Sequence, residues 1–197
     1  MTLKKEGYKE RLIDKKIEEC LKIFGAVSIV GPKYCGKTWT SLAHSKSVKY
    51  INSNDKKLYT LAQMDVNQIL VGEYPILIDE WQLIPSIWDC VRRKCDEDKI
   101  KGKFILTGSA TEKENTIDHS GAGRICKLDM GTMSLFESGE SDGYVSLNDL
   151  FKNIEYKGHL TKELSLEDIA NLIMRGGWPD NMENTPKESQ LIVKSYI

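Results

Sequence analysis

Eight consecutive residues, Gly31, Pro32, Lys33, Tyr34, Cys35, Gly36, Lys37 and Thr38, carry the pattern G-x-x-x-x-G-K-T. Glycines at this spacing let a loop bend back so that its backbone N–H groups converge on one concavity. Where such a loop opens a helix, the helix dipole adds partial positive charge, and a polyphosphate tail is the natural occupant. Lys37 then serves as a point charge for the β- and γ-phosphates, and the Thr38 hydroxyl completes the shell of a Mg²⁺ ion. Trp39, the next residue, is counted with the loop as a nucleotide contact. The implied ligand is a nucleoside triphosphate with Mg²⁺.

A second group of residues has the chemistry to act on such a ligand. The apolar run Pro75 to Ile78 ends in Asp79 and Glu80. A carboxylate at a strand tip beside a phosphate loop holds Mg²⁺, the expected role of Asp79. Glu80, one residue on and free of the metal, takes a proton from the attacking water or orients it. Thr107 and Ser109 end the run Lys103 to Leu106 and offer hydroxyls to the γ-phosphate or the water, or serve as ordinary turn residues. Arg124 follows Ser120-Gly121-Ala122-Gly123, read as a flexible hinge, and is a candidate arginine finger. The alternative for it is a solvated loop arginine.

These residues need strands and helices in a fixed order. Arg11 to Phe24 has an apolar stripe at helical spacing (Ile13, Ile17, Cys20, Leu21, Phe24). Val27 to Val30 is β-rich and feeds the loop; Lys37 to Ser45 is the following helix, and Val48 to Ile51 a second strand. Asn52 to Asp55 turn the chain, and Lys56 to Val71 is weakly helical. Pro75 to Ile78 and Lys103 to Leu106 are continuous apolar runs, as in parallel strands buried on both faces. Between them Ile84, Ile87, Trp88, Val91 and Cys95 keep helical spacing. Thr111 to Gly123 lacks any period and reads as a mobile loop, and Arg124 to Met130 as a fifth strand. The alternation predicts an α/β three-layer sandwich with a parallel five-stranded sheet, its site at the carboxyl ends of the strands. Helical patterns then replace strands, with capping-box spacing at Ser146/Asp149 and Ser165/Asp168. This divides the chain into a nucleotide-binding core, 1–142, and the start of a small helical lid, 143–197. The final run, LIVKSYI, carries no stop signal, and the reading expects a fragment of a longer protein.

Composition narrows the classes further. At 197 residues the chain holds one α/β domain and the start of a second. Its 28 Lys and Arg against 29 Asp and Glu leave no global field to recruit nucleic acid or an anionic membrane. The cluster Arg92, Arg93, Lys94, Lys99, Lys101 and Lys103 is interleaved with acids and reads as a solvated face. No run approaches the roughly 20 apolar residues of a membrane span, nor has the N-terminus a signal-peptide core. A cytoplasmic protein is expected. The five cysteines are an odd count without C-x-x-C and are read as reduced thiols. His44, His119 and His159 share no ligand spacing, so no metal beyond Mg²⁺ is assigned.

Taken together, GPKYCGKT, ILIDEWQ, FILTGSA, SGAGRI, MSLFESGES and GGWP resemble, in that order, the prokaryotic AAA+-type ATPases close to the signal-transducing ATPases. These usually precede a C-terminal nuclease-like domain of unknown function. The likeness runs from Leu21 to about Pro179. It implies that Asp79 and Glu80 are the Walker B pair, that Thr107 to Ser109 form the sensor 1 region, and that Arg124 is the finger, facing a neighbouring subunit's nucleotide. Gly177 and Pro179 would be the lid motif that contacts base and sugar. Sensor 1 departs from the family in carrying hydroxyls where an amide is common. The function expected is Mg²⁺-dependent ATP hydrolysis coupled to a C-terminal effector domain. A slow-turnover nucleotide switch is the first alternative; a small-molecule P-loop kinase is the second, disfavoured by the single nearby arginine and the adjacent acidic pair.

Overall fold

The computed structural model describes residues 2–51, 56–109, 121–152, 154–159 and 163–196. The chain divides into two compact units, Met1–Gly131 and Thr132–Ile197. The division falls before residue 142 because residues 132–143 belong with the second unit, where Met133 N–H donates to Gly177 O at 2.7 Å.

The first unit is built on five parallel strands, β1 (Ala26–Gly31), β2 (Ser47–Tyr50), β3 (Ile76–Asp79), β4 (Phe104–Ser109) and β5 (Ile125–Asp129), in the order β2-β3-β4-β1-β5. Period-two alternation distributes their side chains to two faces. Ile76, Ile78, Phe104 and Leu106 join one apolar cluster with Ile87, Trp88 and Val91 of α4 (Ser86–Asp96), Ala62 of α3 (Lys56–Met64) and the 3-10 turn Val66–Leu70. Leu77, Ile105, Val27 and Ile29 face the other cluster, with Ile17 and Cys20 of α1 (Asp14–Ile23) and Leu42 of α2 (Lys37–Ala43). Helices therefore cover both faces, which is why the central strands read as unbroken apolar runs.

Several local details differ from the sequence reading. Lys56 to Val71 is a helix followed by a 3-10 turn, joined at Asp65, whose side chain accepts from Asn67 N–H at 2.9 Å. Lys103 is not on a solvated face: it is 1% exposed and its ammonium meets Asp98 Oδ1 at 2.9 Å. Gly121 is a packed turn and not a hinge. Its carbonyl accepts from Arg124 N–H at 3.0 Å and from Ile125 N–H at 2.9 Å, and a Cβ there would come within 2.9 Å of the Trp88 ring. The expected turn Asn52 to Asp55 and most of the loop from Thr111 lie outside the described residues.

The second unit is helical among its described residues, with α5 (Leu147–Phe151), α6 (Leu166–Arg175) and α7 (Pro186–Tyr196). The capping box at Ser165 and Asp168 forms, with N–H···O distances of 3.1 and 2.9 Å. The one expected at Ser146 and Asp149 does not. Tyr156 intervenes, its hydroxyl accepting from Ser146 N–H at 3.1 Å and donating to Asp149 Oδ2 at 3.0 Å.

Candidate active site

Sheet register brings the chemistry-bearing residues to one end of the first unit. Gly31 pairs with Ser109, Ile29 with Thr107, and Tyr50 with Asp79, so the loop after β1, the acidic tip of β3 and the hydroxyls of β4 share the carboxyl edge. Because β4 lies between β1 and β3, Thr107 stands between the loop strand and the acidic strand.

The loop's two glycines are required for different reasons. Gly36 has φ 101° at the residue preceding α2, a conformation L side chains resist. Gly31 is required by a close approach: a Cβ would stand 2.1 Å from Met130 O at the end of β5. Tyr34 takes φ 61° at the loop's exposed tip, beside exposed Pro32 and Lys33. Trp39 is half exposed on α2. Cys35 is fully buried, its Sγ–H donating to Met130 O at 3.6 Å, so its side chain packs beneath the loop and faces no ligand.

Lys37 is buried and curls back over the loop, donating to Gly31 O at 2.9 Å and Pro32 O at 2.8 Å. These carbonyls hold the ammonium where a phosphate oxygen can exchange for them. The Thr38 hydroxyl donates to Asp79 Oδ1 at 3.0 Å, joining the start of α2 to the tip of β3. Thr107 is fully buried; its hydroxyl also donates to Asp79 Oδ1 and accepts from Glu80 N–H at 3.2 Å. Thr107 thus ties the Asp79 carboxylate to the Glu80 backbone, and its proton is committed to Asp79. Ser109 ends β4 at the register of Gly31.

Burial pushes the Asp79 carboxyl above the ordinary carboxylate range. The hydroxyls of Thr107 and Thr38 pull it down, Glu80 beside it pushes it up again, and Lys37 pulls it down. A cation beside Asp79 favours the ionised form, and a hydroxyl with a carboxylate is the hard-oxygen donor pair that Mg²⁺ takes while keeping its remaining waters. The residues therefore fit the ion. Among the described residues no cluster of three or more His, Cys, Asp or Glu side chains could hold a metal by itself.

Arg124 is elsewhere. Its carbonyl accepts from Ala26 N–H at 3.1 Å, at the amino end of β1, and its Nε donates to Asp96 Oδ1 at 2.8 Å. The length of β1, about 16 Å at 3.3 Å per residue, separates it from the loop of its own chain. Pro179 opens a 3-10 turn in the second unit, where a Cβ on neighbouring Gly177 would approach Met133 O within 2.4 Å.

Sequence patterns missed Arg11. It is 7% exposed, and its guanidinium donates to Cys35 O at 2.8 Å and to Gly131 O at 3.0 Å, clamping the loop to the segment after β5. Nearby, Tyr8 donates to Asp14 Oδ1 at 2.8 Å and lies 3.2 Å from Thr40 Oγ1 of α2, while His44 Nε2 meets Asp14 Oδ1 at 3.1 Å. One buried arginine in a lysine-rich N-terminus leaves no periodic signal, so only the fold reveals it.

A parallel sheet with helices on both faces, a glycine-bounded loop entering a helix, and an acidic pair two strands away define an α/β three-layer fold of the P-loop type. Residues 24–138 match the AAA domain family, and the chain belongs to it. The fold is similar to that of the Walker-type ATPase PABY2304 of Pyrococcus abyssi, with TM-score 0.53 and 14% identity over 98% of this chain and 70% of that one. It is also similar to AMPPCP-bound DnaA from Aquifex aeolicus, with TM-score 0.52 and 13% identity over 95% of this chain and 62% of that one. The FIGL-1 AAA domain in complex with ADP gives TM-score 0.45 and 13% identity over 71% of this chain. The chain spans 60% of the FIGL-1 chain and 62% of the DnaA chain, less than two thirds of either. No curated protein matches it. Among the described residues no helix is long and apolar enough to cross a membrane.

Proposed function

We propose that the chain is an Mg²⁺-dependent ATPase module. The observation that carries this reading is the junction of loop and acidic strand: Thr38 Oγ1 lies 3.0 Å from Asp79 Oδ1, and Glu80 follows on the same strand end. Residues 31–38 cradle the phosphates with backbone N–H groups, and Lys37 exchanges its two carbonyl partners for phosphate oxygens. Thr38 and Asp79 hold Mg²⁺, which when bound neutralises phosphate charge. Thr107, by donating to Asp79, favours its ionised form against the effect of burial. Glu80 accepts a proton from the attacking water. The sequence resemblance assigns Pro179 to a motif that reads base and sugar, and it implies that the work of hydrolysis is delivered to a C-terminal effector domain. The setting is cytoplasmic.

A second reading, a slowly turning nucleotide switch, has its own observation. Arg124 lies a strand's length from its own loop, so a single chain lacks this arginine at its site. We therefore place Arg124 at the site of a neighbouring copy. Both readings are tested by ATP and GTP hydrolysis measured against protein concentration, with and without Mg²⁺, for the parent and Glu80→Gln. The variant keeps the shape of Glu80 but takes no proton, so it is expected to bind ATP normally and to turn over roughly 10² or more times slowly. Parental turnover by Glu80→Gln removes Glu80 as the base and leaves the switch.

A further inference from the structure

Glu80 stands in the left-handed region, φ 58° and ψ 43°, a conformation a non-glycine residue holds only when its surroundings fix it. Thr107 fixes its N–H, and its carbonyl accepts from Leu83 N–H at 3.1 Å, closing the 3-10 turn Trp81–Leu83. That turn brings the Gln82 side chain back onto Glu80, where its Nε2 donates to Glu80 Oε2. A carboxylate only accepts, so the amide must face it with its NH₂ group, and this fixes Gln82 Oε1 on the other side. Oε1 is buried and accepts from no protein group among the described residues. A glutamine kept for local structure would satisfy both ends of its amide, since an orphaned buried acceptor is destabilising. Among the described residues, this side chain's amide spends its donor on Glu80.

We propose that Gln82 is a positioning residue for the hydrolytic step, acting through Glu80. The inference rests on the ATPase reading above. In that step water oxygen bonds to the γ-phosphorus, the bond from phosphorus to the β,γ-bridging oxygen breaks with its electron pair leaving on ADP, and the water's proton passes to Glu80 and then to solvent. The backbone turn alone leaves the Glu80 side-chain torsions free. Gln82 fixes the carboxylate's direction by donating to it.

Gln82→Met keeps length and packing without the donor, and Gln82→Glu keeps the shape but sets a second carboxylate against the first. Both are compared with the parent and Glu80→Gln in steady-state and single-turnover ATP hydrolysis, with nucleotide affinity and thermal melting measured alongside. Gln82→Met is expected to lower kcat roughly ten- to a hundredfold with KM within about twofold, as for a misplaced catalytic group. Single-turnover hydrolysis falls by the same factor while nucleotide affinity stays parental, because the amide acts on Glu80 and not on the nucleotide. Gln82→Glu lowers kcat at least as far, because its carboxylate repels that of Glu80. A purely structural role would lower the melting temperature and leave kcat parental well below it, and that result overturns the proposal. So does a kcat above the parent's, which would make Gln82 a latch holding Glu80 away. Parental kinetics in Gln82→Met with an inactive Glu80→Gln overturns the proposal alone, whereas no Mg²⁺-dependent hydrolysis by the parent overturns it together with the ATPase reading.

Discussion

Among individual residues, Lys37 shows how a site can be prepared before its ligand arrives. A buried ammonium must be paired, and the loop pairs it with its own carbonyls, Gly31 O and Pro32 O. The exchange of these for phosphate oxygens is charge-assisted on both sides. Lys37→Ala is therefore expected to weaken binding of a fluorescent ATP analogue by roughly 1.5 to 3 kcal/mol, read as the ratio of dissociation constants. An unchanged constant would remove the loop as the phosphate site. Lys37, Thr38, Asp79 and Glu80 were legible in the sequence because each has a fixed position relative to a glycine or to an apolar run. Thr107 was legible as a hydroxyl at a strand end, but not its hydrogen bonds to the Asp79 carboxylate and the Glu80 N–H, which depend on β4 lying between β1 and β3. Arg11 was not legible at all, since its partners, Cys35 and Gly131, are remote in sequence.

For the secondary-structure elements, the sequence specified strands better than their ends. The runs at Val27, Pro75 and Lys103 became β1, β3 and β4, because a strand covered on both faces must be apolar throughout. Gly121 and Ser146 were misread for a common reason: neighbours from other segments, the Trp88 ring and the Tyr156 hydroxyl, took over turn and cap positions that local spacing had suggested. Arg11 couples three segments, and its test belongs to this scale. Arg11→Met keeps the stem and deletes the donors, leaving Cys35 O and Gly131 O unpartnered by it. Urea unfolding is expected to show a loss on the scale of roughly 1.5 to 3 kcal/mol for a hydrogen bond to a charged group, together with weaker nucleotide binding. Full stability with weak binding alone would make Arg11 a ligand contact and not a clamp. In the second unit, Arg175 joins α6 to Glu140 at 2.6 Å and holds that carboxyl down to about 2 from its ordinary 4.5. A depressed folded-state value means the unfolded chain binds more protons in this window. The contribution is thus complete above about 4.5 and declines as pH falls toward about 2. Thermal melts of parent and Arg175→Met across that range should converge at the acid end; a constant gap would assign the pair no ionic role.

For the whole molecule, the decisive fact is the polarity of the sheet. Every strand runs the same way, so a residue before β5 and a residue after β1 are held at opposite ends of one rigid layer. Side-chain motion cannot carry Arg124 across that distance, and its present partner is Asp96 on α4, a pair whose side chains are 47% and 45% exposed. An exposed pair of this kind is worth little by itself, so exchanging Asp96 for a polyphosphate costs little. If Arg124 serves a neighbour, specific activity rises with protein concentration, and salt, which screens exposed charge, lowers it. Mixing gives the sharper test. Arg124→Ala and Glu80→Gln subunits, each nearly inactive alone, are expected to recover activity together, because one interface in the mixture joins an intact Glu80 to an intact Arg124. An arginine finger is worth roughly 10³ to 10⁵ in rate, so even a minority of such interfaces would stand clear of either variant's background. If Arg124→Ala hydrolyses ATP at the parental rate at every concentration, Arg124 is a surface partner of Asp96 and nothing more. If it is slow and the mixture stays slow, Arg124 acts within its own chain, which would require β5 to leave its register with β1. Hydrogen exchange at Ala26 N–H, which Arg124 O holds at 3.1 Å, would then rise on nucleotide binding.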